Sequence, residues 1–331
     1  MTLPPMQTLG AIGVALLLGL ITLLAGSRPA QVSFSGQFET THVSMLLAEN
    51  ALIEGIAAYE LSVTFSGALF VDGKTSETAY GGVSASSDMI AEDTGGNAIA
   101  SIEGISVEKG TRLSLTTDPL SNLTTIRFSG PPIEFPIYPG DVQRLDIDSA
   151  FCGTDNCARL MVEGEPLYVQ TDGKAETILT FPTPEAPVIL TSILNVKTLD
   201  FWRLVAAPTS QAKESGLLGG AYYFLETADI SENIWPRSIL SVSGEDVRVR
   251  SLELNDSRFD VSASGRIRRF DTEIGNRARS LKPNLFETWS RNPSIQVIAG
   301  LLSIVLGSGI VVIEVMRRLN IRNDAREDSG D

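Results

Sequence analysis

The stretches DVRVRSLEL, Asp246 to Leu254, and RFDVSASGRIRRF, Arg258 to Phe270, alternate apolar and polar side chains almost residue by residue. Successive side chains of an extended chain point to opposite faces, so a period of two marks a half-buried strand. The same period returns in QVSFSGQF (31–38), YELSVTFSGALFV (59–71), TRLSLTT (111–117), LTTIRFSG (123–130), VQRLDID (142–148), PLYVQT (166–171) and ETILTF (176–181). Turn residues separate these segments: Asp72-Gly73, Gly81-Gly82, Gly95-Gly96, Pro131-Pro132, Pro139-Gly140 and Asp172-Gly173. The expected fold is mainly β, an antiparallel sandwich-like domain or an elongated twisted sheet.

Two segments interrupt the pattern. Ser44 to Leu61, SMLLAENALIEGIAAYEL, is rich in good helix formers, although Gly55 and apolar residues on every face also suit a buried strand pair. Leu199 to Ala207, LDFWRLVAA, places Leu199, Trp202 and Val205 on one helical face and predicts a short helix before Pro208. FPTPEAPV, Phe181 to Val188, holds three prolines that resist both helix and ladder, so lobes of 28–183 and 184–293 are expected. The triplet Phe-Ser-Gly recurs at Phe34, Phe65 and Phe128, too short a word to establish a repeat.

The β region lies between two apolar ends. Met1 to Ser27 has no charged side chain, and residues 6–26 supply the roughly twenty apolar positions that a spanning helix needs. Residues 294–316, SIQVIAGLLSIVLGSGIVVIEVM, form a second run whose one charge, Glu314, lies near its end. Two transmembrane helices are therefore expected. Ala25-Gly26-Ser27 also fits a signal-peptidase site, but no Lys or Arg precedes Arg28, which favours an uncleaved anchor. Arg317, Arg318, Arg322 and Arg326 follow the second run, placing the tail, 317–331, in the cytoplasm and the β region outside it. Small residues recur every fourth position in both runs, at Ala11, Ala15 and Gly19 and at Ala299, Ser303 and Gly307. Such faces let spanning helices pack closely, so these six are the expected span contacts.

Composition narrows function. The chain carries 26 basic and 40 acidic residues, a net charge of −14, and no basic stripe with interleaved aromatics. An acidic surface repels phosphate backbones, which excludes nucleic acid as the expected partner. Arginine outnumbers lysine, a codon bias expected of a GC-rich bacterial genome. One histidine, His42, and two neighbouring cysteines cannot form a typical structural zinc site, and no paired nucleophile and orienting acid can be identified around His42, so no cofactor, metal or catalytic residue is expected. GALFVDGKT (67–75) has one residue too many for a phosphate loop and predicts a strand turning at Asp72-Gly73. SQAK (210–213) matches a penicillin-binding motif without its companion motifs, and predicts a surface loop. Asp141, Asp146, Asp148 and Asp155 are oxygen ligands that lack the spacing of a calcium loop.

Cys152 and Cys157 flank the four residues GTDN. In an oxidising compartment such a pair forms a disulfide, here a staple across a hairpin that contributes roughly 2 kcal/mol. The expected protein is thus a non-enzymatic binding, scaffolding or accessory subunit of a membrane complex in the cell envelope. It would sit in the inner membrane with its main domain periplasmic. The alternatives are a hydrolase of envelope polymer using a carboxylate pair, or a sensor acting through a separate cytoplasmic protein.

Overall fold

The structure is a computed structural model. It describes residues 31–284 except 59, 72–73, 76–78, 87–99, 103, 140–143, 148–165, 192, 207–210, 226–230 and 275–276, with positions 19 and 297 described in isolation. The chain divides into two compact units. One comprises Ala30–Leu225 with Asp229–Lys282; the other comprises Met1–Pro29, Glu226–Ala228 and Pro283–Asp331 and lies almost wholly outside the described residues. So do both expected spans, with Ala11, Ala15, Ala299, Ser303 and Gly307, and so does the pair Cys152 and Cys157. Gly19 is an isolated exposed position. Among the described residues no helix is long and apolar enough to cross a membrane.

The larger unit is antiparallel β throughout its pairings. In its first half the strands are β1 (Val32–Thr40), β2 (His42–Leu47), β3 (Ala51–Ile53), β4 (Ile56–Ala58), β5 (Leu61–Val71), β6 (Lys74–Thr75), β7 (Ala79–Ser86), β8 (Ala100–Ile102), β9 (Ile105–Val107), β10 (Arg112–Asp118), β11 (Leu123–Ser129) and β12 (Glu134–Pro139). In its second half they are β13 (Arg144–Ile147), β14 (Leu167–Thr171), β15 (Thr177–Pro182), β16 (Val188–Thr191), β17 (Leu194–Asp200), β18 (Trp202–Ala206), β19 (Gln211–Ser215), β20 (Leu217–Phe224), β21 (Glu232–Ile234), β22 (Ile239–Asn255), β23 (Arg258–Ile274) and β24 (Arg277–Ser280). One continuous sheet runs in the order β20, β1, β23, β22, β17, β2, β10, β11, β15, β5, β7, β13, with the short strands added along it. β18 and β19 form a separate hairpin.

The two stretches with the clearest alternation become β22 and β23, which pair from Ile239↔Glu273 to Asn255↔Arg258. Asp256 and Ser257 join them, both with positive φ (48° and 58°), the conformation of a type I′ hairpin turn. This turn's twist matches that of the strands, which lets the ladder continue for 17 residues. Val247, Val249, Leu252 and Leu254 face inward with Phe259, Val261, Ala263 and Ile267. Bulges at Gly244 and near Ser251 bend the pair. Opposite them, Gly265 (φ +139°) approaches the Asp246 carbonyl so closely that a Cβ would lie 1.8 Å from its oxygen.

The chain turns a corner between β1 and β2. β1 pairs with β20 and β23, whereas β2 pairs with β10 and β17. The buried Thr40 hydroxyl satisfies the backbone at this bend, donating to the His42 carbonyl (2.7 Å) and accepting from the His42 amide (3.1 Å). Phe38 packs on Phe201 beside it, with ring centroids 4.8 Å apart. Phe34, Tyr222 and Phe224 surround Phe270 at 4.7–5.6 Å. Each fully buried ring of this kind contributes about 1.5–3 kcal/mol.

Several expectations change here. The 199–207 segment is not a helix: Leu199 belongs to β17, Phe201 is buried at a bend, and Trp202 opens β18. Its helical spacing is overridden because Leu199 pairs with both Met45 and Val242 inside the sheet. Residues 44–61 contain strands rather than a helix, as their apolar residues on every face also allowed. Lys213 of SQAK lies in β19 and not in a loop, whereas the Val71↔Lys74 pairing bears out the hairpin read from GALFVDGKT. Strand pairs β1–β20, β1–β23 and β2–β17 join residues before position 184 to residues after it within one continuous sheet.

Candidate functional site

A cleft of about 810 Å³ opens where β2, β10 and β11 meet the β18–β19 hairpin. Its floor follows from strand alternation: one side of each strand feeds the core, and the other presents Ser44, Ser114, Thr116 and Thr125. Ser44 and Ser114 are directly opposite in register and their hydroxyls bond at 2.9 Å. Arg112 reaches the Ser44 hydroxyl at 3.5 Å. Arg127 pairs with Glu176 (3.4 Å) at one side, and Arg203 pairs with Glu214 (2.7 Å) across the hairpin.

His42, the one histidine, sits at the inner end of the cleft, 7% exposed. Its Nδ1 lies 2.7 Å from Thr116 Oγ1. Burial, aided by the Arg203 charge, pushes the imidazole down to about 4, against the opposing pull of the Trp202 backbone and Glu214. It is therefore neutral near pH 7. So weak a base is poorly matched to general-base catalysis at that pH, although a hydroxyl lies beside it.

Two carboxylates in the cleft have opposite environments. Burial raises Asp200, partly offset by a hydrogen bond with Ser241, whose hydroxyl also accepts from Trp202 Nε1 at 2.8 Å. Asp118 is lowered by the Ser121 hydroxyl and the Leu120 amide, so its oxygens are committed to the β10–β11 turn. An acid pair with two free partners is not assembled from them. Among the described residues no three His, Cys, Asp or Glu side chains group as a metal site.

The β18–β19 hairpin forms the other wall. Trp202 is half-buried; Lys213 Nζ stands 4.9 Å over its ring and pairs with Glu273 at 2.9 Å. The cleft thus offers hydroxyls, guanidinium groups and an aromatic wall. His42 was singled out in the sequence, but the cleft was not. Its floor residues are ordinary Ser and Thr at alternate strand positions, and only the pairing of β2 with β10 brings them together. The chain matches no protein-family model, no curated protein and no solved structure.

Proposed function

We propose that this chain is a membrane-anchored, extracytoplasmic protein of the cell envelope, a binding or accessory subunit whose sandwich-like β domain holds a partner in the His42 cleft. Residues 6–26 and 294–316 are its spans, 317–331 its cytoplasmic tail, and Cys152–Cys157 a disulfide of the oxidising compartment.

One observation supports the double anchor: the β domain is entered and left beside the same stretch of β23, at Ile267 and Arg268. Val32 pairs with Ile267, and Gln31 donates to the Glu245 carboxylate (3.1 Å) that also holds Arg268. At the other terminus Lys282 Nζ donates to the Arg268 carbonyl at 2.8 Å. Ends that emerge together suit a domain suspended from two neighbouring helices of one bilayer. For binding rather than hydrolysis, the support is the engaged Asp118 and the neutral, weakly basic His42.

The test is cross-linking in intact membranes with the wild type and with Arg112→Glu, followed by purification. A partner retained by the wild type and lost from Arg112→Glu is the expected result. Recovery of the wild type alone and monomeric, at high yield, would contradict it.

A further inference from the structure

A second cavity, about 370 Å³, lies apart from the His42 cleft and is lined in part by Tyr222, Glu232, Trp235, Thr272, Arg277 and Arg279. Two arginines and one carboxylate, that of Glu232, line it, which leaves it net positive in so acidic a chain. Arg127, Arg203, Arg248, Arg258, Arg268 and Arg269 each have a carboxylate within 4.0 Å. Among the described residues Arg277 and Arg279, like Arg112, Arg237, Arg250 and Arg266, have none, and these two line the same cavity.

Register explains why these two converge. Arg279 is opposite Thr272 and Arg277 opposite Ile274, so the β24 arginines, two positions apart, share one face of the sheet with Thr272. Like charges held so close repel unless an anion lies between them. Thr272 is 5% exposed, and its hydroxyl has no partner among the described residues. A buried hydroxyl left unpaired costs stability that a ligand oxygen would restore. On the opposite wall Trp235 is 76% exposed, and the Tyr222 hydroxyl is occupied by Glu232 at 2.7 Å. Burial and Glu232 raise the phenol above its ordinary range, so it remains protonated and adds no negative charge to the cavity.

We propose that this cavity binds a phosphate ester, with Arg277 and Arg279 clamping its oxygens, Thr272 donating to one of them, and Trp235 covering the ester side. Guanidinium forks match phosphate oxygens bidentately, which is why a pair of them selects this group.

The test is calorimetric titration of the full-length protein in detergent, with inorganic phosphate in one arm and dihexanoyl phosphatidylglycerol in the other. Saturable binding is expected. Arg277→Gln with Arg279→Gln should weaken it about tenfold or more, and Thr272→Val severalfold, with the thermal transition of each variant checked first. Tighter binding of the lipid would identify an ester-linked headgroup as the ligand, whereas equal or tighter binding of inorganic phosphate would overturn the ester reading. Absence of binding in both arms, or unchanged affinity in the double variant, would overturn the proposal.

Discussion

His42 Nδ1 lies 2.7 Å from Thr116 Oγ1, and the two residues are directly opposite one another in the β2–β10 ladder. The imidazole is thereby held at the corner where the chain passes from one part of the sheet to the next, buried and uncharged. Its folded value of about 4 lies below the unfolded 6.5, so the unfolded chain binds the extra proton first. Stability is therefore fully present above about pH 6.5 and is lost as the pH falls toward 4, by up to about 3 kcal/mol. Urea midpoints measured across this range should fall for the wild type and stay flatter for His42→Gln. Parallel curves would show that another group is responsible.

Asp200 has the opposite sign. Burial raises its folded value, so ionisation at neutral pH costs stability, and that cost disappears as the carboxylate protonates. Asp200→Asn should keep the Ser241 contact and raise the melting temperature at pH 7, with the gain shrinking under acid. A loss of stability at pH 7 would mean that Arg112, Lys213 and Arg269 outweigh the burial.

The type I′ turn at Asp256-Ser257 holds a serine at φ 58°, where glycine carries no Cβ penalty. Ser257→Gly should stabilise the domain by about 1 kcal/mol, less a small loss for the exposed contact of Ser257 with Asn122. Thermal unfolding checks this: a rise of about 3 °C is expected for a domain of this size.

Gly265→Ala should do the reverse. The new Cβ would meet the Asp246 carbonyl oxygen at 1.8 Å, and backbone cannot move aside as a flexible side chain can. A loss of about 3 kcal/mol or more is expected, seen as a lowered denaturation midpoint with an unchanged slope.

Much of this fold was legible from alternation alone. Val247, Val249, Phe259 and Val261 face inward as period two requires, because burial on one side of a strand forces that pattern. The Leu199–Ala207 segment misled because a few apolar residues fit a helical spacing as well as a strand, and the pairing of Leu199 with Met45 decided between them. The cleft was illegible for a different reason. Ser44 and Ser114 are 70 positions apart, and hydroxyls on a solvated strand face look alike wherever they occur. The Arg277–Arg279 face was equally hidden, since charge content says nothing about which arginines lack carboxylates.

The most direct measurement of the central claim is thiol accessibility in right-side-out inner-membrane vesicles, using full-length protein lacking Cys152 and Cys157. One cysteine replaces Leu120, 98% exposed at the β10–β11 turn, and in a second protein one replaces Ser329 of the tail. A membrane-impermeant maleimide should label Leu120→Cys in sealed vesicles and Ser329→Cys only after they are opened. Labelling of Leu120→Cys only after opening would place the β domain in the cytoplasm and contradict the account.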